Sequence, residues 1–229
     1  MNVLATIIKS KTQSLGMRRM KICKFSHLVL LSVVLCTFFL SAAQANESRI
    51  VKSLLEMRRE RVVVQKWDLS CGAAALSTLL TYQLQDPTPE KEIAATLIKR
   101  KEYIEHPELI QIKEGFSLLD LKRFADQRGY EGIGLGKMEF ADLAQYAPLM
   151  IPIKVNDYNH FVVFRGSMGN RVLLADPAWG NRTLLTKKFL EAWIDYPTFG
   201  KVGFVIAQKN AAKLPNHLAP VPEDFVFLR

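Results

Sequence analysis

The alternation of apolar and polar positions divides the chain near Pro148 into a helical part and a strand-rich part. Before that proline, apolar residues recur at the three- and four-residue spacing of one helix face. Residues 47–61 read as a charged helix, and Arg61-Val62-Val63-Val64-Gln65 as a short β-branched stretch. Cys71 to Leu84 is rich in Ala and Leu at helical spacing, opens after Ser70, a residue of the N-cap type, and ends before Asp86-Pro87-Thr88-Pro89. Another helix is predicted from Pro89 to about Lys101, with Thr88 as its cap and proline in the first helical position. Ser117 to Arg128 makes a third, stopped at Gly129, and Glu139 to Tyr146 a shorter fourth. After Pro148 the pattern changes to short apolar runs: Leu149 to Val155, His160 to Arg165, Arg171 to Ala175 and Val202 to Gln208. Gly166 to Asn170 supplies a hairpin turn, and Leu185 to Ile194 a short helix between the last strands. Helices followed by antiparallel strands predict an α+β domain.

The N-terminal end has a different pattern. Residues 1–45 contain Lys9, Lys11, Arg18, Arg19, Lys21 and Lys24 and no acidic residue, then an apolar run from Leu28 to Leu40, then Ala43-Gln44-Ala45. A basic region, an apolar core and a small-residue cleavage site describe an export signal. The run is short of the ~20 residues of a spanning helix, so cleavage after Ala45 and a periplasmic location are expected, with an uncleaved inner-membrane anchor as the alternative. Met17 and Met20 are alternative starts. The expected organisation is a signal peptide over 1–45, a helix or linker over 46–60, a domain over 61–208 and a tail over 209–229.

Subtracting the leader changes the charge and the cysteines. The formal charge of +9 comes from 31 basic and 22 acidic residues. With the six leader cations removed the surplus falls to 3, and no dense basic patch with interleaved aromatics remains to suggest nucleic acid. Cys23 and Cys36 leave with the signal, so Cys71 is the one remaining cysteine, without a disulfide framework or a cysteine-based metal site. A free thiol is a liability in an oxidising compartment, which points to retention for chemistry rather than as a small buried hydrophobe.

A cysteine in the first turn of a helix meets unpaired amides and the positive end of the helix dipole, which favour a negative sulfur. Gln65, six residues upstream, stands where its amide can donate to a developing oxyanion together with the Cys71 amide, and Gly72 leaves room for a substrate carbonyl. His106 precedes Pro107 in a charged loop and His217 lies in a Pro-rich tail, whereas His160 opens an apolar strand. It is either a core histidine satisfied by backbone or a base for the thiol. Asp176 ends the next strand, across the predicted hairpin, where a carboxylate can orient the imidazole; the plainer role is a turn-forming Asp before Pro177. Trp67 and Trp179 flank these motifs, as cleft walls or as ordinary core aromatics.

The Gln65 to Cys71-Gly72 spacing, the His160-Phe161-Val162-Val163 strand and Asp176-Pro177-Ala178, in this order, resemble the C39 peptidases. The resemblance covers residues 60–208 and implies a papain-like fold with Cys71 as nucleophile, His160 as base, Asp176 as orienter and Gln65 as oxyanion donor. Transporter-linked members usually carry Asp directly before the cysteine, where this chain has Ser70. Asp68-Leu69-Ser70-Cys71-Gly72 is more similar to stand-alone exported members, including those encoded with functional-amyloid secretion systems. The implied partner is a secreted polypeptide, an amyloid or leader-bearing one, with its secretion machinery. No Gly-rich loop ending in Gly-Lys-Ser/Thr is present, so neither ATP nor any other cofactor is expected. Two other readings remain open at this point, a non-hydrolytic peptide-binding accessory module and a thiol acyltransferase.

Overall fold

The computed structural model describes residues 52–112 and 115–228. The predicted leader and the start of the predicted first helix lie outside the described residues. In chain order the helices are α1 Leu54–Arg59, α2 Cys71–Thr78, α3 Glu90–Ile98, α4 Lys101–Glu105, α5 Leu109–Ile112, α6 Leu118–Gln127, α7 Phe140–Tyr146, α8 Thr186–Ala192 and α9 Pro222–Phe227. The strands are β1 Tyr130–Leu135, β2 Leu149–Val155, β3 Tyr158–Met168, β4 Arg171–Asp176, β5 Gly180–Leu185, β6 Asp195–Tyr196, β7 Gly200–Lys201 and β8 Gly203–Gln208.

Six of these strands form one antiparallel sheet in the order β1-β8-β2-β3-β4-β5, and β6 pairs with β7. The α+β class expected from the pattern is the one observed, with one difference in layout. β1 precedes Pro148 and joins the sheet at one edge, and β5 forms the other edge. Neither carries a continuous apolar run: β1 is interrupted by Gly132 and Gly134, and β5 begins Gly-Asn-Arg-Thr. An edge strand buries fewer positions, so its periodicity is weak.

Helix α2 is buried on every side, from Cys71 to Thr78, as expected for a helix without a polar face. It continues into one turn of π-helix, Leu79–Gln83. Ala73, Ala75 and Leu76 share a core with Met150, Val163, Ala175 and Phe204, so α2 packs against the middle of the sheet. The second core, on Leu149, Ile151, Val162, Phe164 and Leu174, is closed by Leu143 of α7 and by Phe189 and Trp193 of α8 and its end. Alternate strand residues feed the two cores, as the pleat requires.

Several boundaries differ from the sequence reading. Residues 61–65 form no ladder; they are pinned instead by Val63 N–H to Thr78 Oγ1, 3.0 Å, and Gln65 N–H to the Pro177 carbonyl, 2.8 Å. Pro89, not Thr88, occupies the N-cap of α3, and the Thr88 hydroxyl bonds the Asp86 carbonyl. The helix predicted to run to Lys101 ends at Ile98, and α4 begins a new one.

Residues 209–228 pack onto the domain. Leu218, Phe225 and Leu228 are buried, and Thr183 of β5 donates to the Leu228 carbonyl through both N–H and Oγ1. Arg165, buried in β3, donates to the Leu218 carbonyl at 2.7 Å and to Asn181 Oδ1 at 2.8 Å. Burial, helped by Arg61, lowers its guanidinium pKa to about 10, against Asp224 and Glu60 acting the other way. Arg165→Met is expected to cost about 2–4 kcal/mol, because buried acceptors lose their donors. A thermal melt followed by circular dichroism should show Tm lower by roughly 5–15 °C; an unchanged Tm would mean that Arg165 does not hold the C-terminal segment.

Candidate active site

The loop before α2 determines where Cys71 sits. Leu69 adopts φ 64°, a left-handed conformation unfavourable for a residue with a branched side chain, and two neighbours hold it there. Gly115 is one: a Cβ at its position would come within 2.5 Å of the Leu69 carbonyl oxygen, and its own φ is +113°. Glu90, a buried carboxylate at the start of α3, is the other: it accepts from the Ser70 hydroxyl at 2.5 Å and from Lys66 N–H at 3.1 Å. Ser70 therefore occupies the N-cap position, as predicted, without a side-chain cap bond, since its oxygen serves Trp67 and Glu90. Cys71 is the first residue of the helix, a free and buried thiol.

His160 lies near the start of β3 and Asp176 at the end of β4. Ala175 faces Val163, so continuing the register puts Asp176 beside Val162, with His160 its diagonal neighbour on the same face. His160 Nε2 and Asp176 Oδ1 are 2.7 Å apart, and both residues are buried. Cys71 lies near enough to the ring to act on its charge. Because Nε2 is taken by the carboxylate, Nδ1 is the nitrogen left for the sulfur. Burial opposes a charge on the ring, yet the hydrogen bonds to Asp176 and Cys71 and their negative charge outweigh it, raising His160 to about 9. For Asp176 burial pushes the pKa up, but the bond to His160, the charges of His160 and Arg182 and the Ala178 N–H hold it below the usual carboxylate range.

Arg182, which the sequence reading missed, donates from Nε to Asp176 Oδ2 at 2.7 Å. Its signal was hidden because β5 was not predicted. Glu90 was missed as well, since an acidic residue at a helix start is commonplace.

Gln65 stands next to the site through its backbone bond to Pro177. Its Nε2 donates to the Trp67 carbonyl at 3.1 Å, while Oε1 is buried without a partner. Gly72 is buried, and a Cβ there would lie 3.1 Å from Leu121 and 3.2 Å from Phe161. The missing side chain lets α2 approach β3 and α6 closely. Trp67 and Trp179 are exposed, neither core residues nor walls of the main groove. That groove, about 760 Å3, adjoins His160 and is lined by Phe116, Leu118, Phe161, Tyr196 and Phe199. Its walls come from five separate stretches of chain, so no local motif marks it. Among the described residues no group of His, Cys, Asp and Glu is arranged to hold a metal ion.

A buried thiol, imidazole and carboxylate set in this order can act chemically as a nucleophile with a base and an orienting group. The profile of the Peptidase C39 family matches residues 59–199. The chain belongs to the peptidase C39 family. This C39 domain is 33% identical over 144 residues to the probable functional amyloid protease FapD of Pseudomonas aeruginosa, covering 62% of this chain and 61% of that protein. It is 34% identical over 145 residues to the probable functional amyloid protease FapD of Pseudomonas fluorescens, again covering 62% and 61%. The match thus spans less than two thirds of these relatives. Among solved structures, the peptidase domain of Streptococcus ComA, a bi-functional ABC transporter involved in a quorum sensing pathway, aligns with a TM-score of 0.50 at 17% identity. That alignment covers 65% of this chain and 98% of the ComA domain. At that identity the likeness is one of fold: the C39 peptidase domain is the α+β arrangement described above.

Proposed function

We propose that the chain is a thiol endopeptidase that cleaves an exported polypeptide through Cys71, His160 and Asp176. The observation that carries this reading is the 2.7 Å contact of His160 Nε2 with Asp176, which leaves Nδ1 for the sulfur at the start of a buried helix. In the reaction His160 Nδ1 holds the proton given up by Cys71, and the thiolate sulfur attacks the scissile carbonyl carbon. The oxyanion is held by the Cys71 N–H and by Gln65 Nε2 once that amide leaves the Trp67 carbonyl. His160 returns its proton to the amine, which departs, and a water activated by the neutral ring releases the acyl group from sulfur. Asp176 remains ionised throughout and balances the imidazolium.

The substrate class is a secreted, amyloid-forming polypeptide, supported by the resemblance to the two functional amyloid proteases. Export to the periplasm follows from the predicted leader. No helix among the described residues is long and apolar enough to cross a membrane.

The test is incubation of the purified protein with the exported polypeptides encoded beside it, followed by intact-mass spectrometry. Two fragments whose masses sum to the parent plus one water support hydrolysis. A conjugate of two chains would indicate acyl transfer instead, and unchanged masses with stable binding would indicate an accessory module.

A further inference from the structure

Asp176 has no exposed surface, and each of its oxygens has a separate task. Oδ1 accepts from His160 Nε2 at 2.7 Å and from Ala178 N–H at 2.9 Å. Oδ2 accepts from Arg182, whose Nε and Nη2 both stand 2.7 Å away. The sheet register produces this arrangement. Leu174 of β4 faces Arg182 of β5 and Asp176 faces Gly180, so Arg182 and Asp176 are diagonal neighbours on one face. His160 reaches the same carboxylate from β3 on the other side. Three adjacent strands thus present base, carboxylate and guanidinium in a row.

We propose that Arg182 is a positioning residue for the reaction, holding the Asp176 carboxylate in the rotamer that serves His160 and keeping it charged when the imidazole is neutral. The proposal rests on the peptidase reading given above. A carboxylate buried in a low-dielectric site is stable only while paired. During turnover His160 gives the Nδ1 proton to the leaving amine, and the imidazole is then neutral with its Nε2 proton still directed at Asp176. At that stage the cationic partner of Asp176 is Arg182, a guanidinium whose planar donors suit one carboxylate oxygen. Without it, protonation of Asp176 becomes easier and rotation about its last torsion is resisted by the Oδ1 bonds alone. Its side chain is a quarter exposed, so a substitution there does not empty a core. The groups facing Asp176 from every packed element are His160 on β3, Arg182 on β5 and the Ala178 amide in the intervening turn, with Cys71 beyond the ring.

The experiment compares the wild type with Arg182→Met and Arg182→Lys, using iodoacetamide as a probe that needs no substrate. Alkylation of Cys71 is measured against pH from the mass of its own peptide, so Cys23 and Cys36 do not interfere. Hydrolysis and melting are followed in parallel. In Arg182→Met the acid-side rise of Cys71 reactivity is expected to move up by about one pH unit, because an opposite charge near a carboxylate lowers its pKa by that order. At a pH on that limb, reactivity then falls by about tenfold. Lys, which keeps the charge, restores most of the shift. Hydrolysis shows lower kcat with KM unchanged, since Arg182 lies away from the groove. An unmoved acid limb in Arg182→Met, with or without a lower Tm, overturns the proposal. If the limb moves but no polypeptide is cleaved, Arg182 positions the thiol pair and the peptidase reading is the one that fails.

Discussion

Cys71→Ala is expected to leave no measurable hydrolysis, a fall in kcat of about 10^4-fold or more, in a protein that still folds. In the proposed mechanism the sulfur is the atom that bonds to the substrate carbonyl, and Cys71 is the one free cysteine among the described residues. Alanine fits the same helix start, where Ala73, Ala74 and Ala75 already follow. The proposed oxyanion donors and His160 stay in place, so what remains is the small acceleration that binding and electrostatics give to attack by water. A second consequence is visible without substrate. The bond to Cys71 is one of the causes that raise His160 to about 9, so the ring in the alanine variant titrates lower, as NMR of its ring protons would reveal. Cleavage of the native partner by Cys71→Ala at the wild-type rate would remove the proposed nucleophile altogether.

Asp176→Asn should reduce kcat by about 10^4-fold, for a reason that geometry makes specific. All the neighbours of Asp176 are donors: the His160 ring, the Ala178 N–H and Arg182. An amide has one accepting end, so its NH2 must face a donor whichever way it turns. If it faces His160, the ring takes the wrong tautomer and carries its proton toward the sulfur. The pH dependence follows from the same contacts. In the wild type activity falls at the alkaline side near pH 9, as His160 loses the proton it must give to the leaving amine. In Asp176→Asn that limb moves down, since burial alone lowers the ring and the carboxylate that outweighed it is gone.

Stability changes with a definite sign. The folded pKa of His160 lies above its unfolded value of about 6.5. Its contribution is therefore full below about pH 6.5 and lost as pH rises through about 9. Asp176 is depressed in the folded protein, so its contribution is present above about pH 3.9 and lost as pH falls through the lower folded value. The melting difference between wild type and Asp176→Asn should accordingly be largest between roughly pH 4 and 6.5 and shrink toward pH 9. A difference that grew with pH across that range would contradict the His160–Asp176 pairing.

The parts of the fold that were legible are those in which one face or the whole element is buried. β2, β3, β4 and β8, and helices α2, α6 and α7, carry apolar runs long enough to show their period, and they appear within a few residues of their predicted limits. β1 and β5 did not show, because edge positions and glycines leave no pattern. The segment 209–228 read as a tail because its buried apolar residues, Leu218, Phe225 and Leu228, are too scattered to show a period, and the rest of its anchoring is polar: the carbonyls of Pro215, His217 and Leu218 accept from Gln83, Arg61 and Arg165. No sequence period records a bond between a guanidinium and a carbonyl fifty residues away.

By itself the sequence determined which groups are present and in what order. A cysteine after a cap residue, a histidine opening one strand and an aspartate closing the next are local features, because helix starts and strand ends are specified by neighbouring residues. The tertiary structure decided how those groups bear on one another. It took the Ser70 hydroxyl from the helix cap to Glu90, made Gly72 a packing contact, set Trp67 and Trp179 outside the groove and put Arg182 on the far oxygen of Asp176. Each of those outcomes depends on sheet register and on the approach of α2, α3 and α6, which join residues far apart in the chain. Local propensity specifies an element, whereas a carboxylate shared between three strands exists only once the strands have paired.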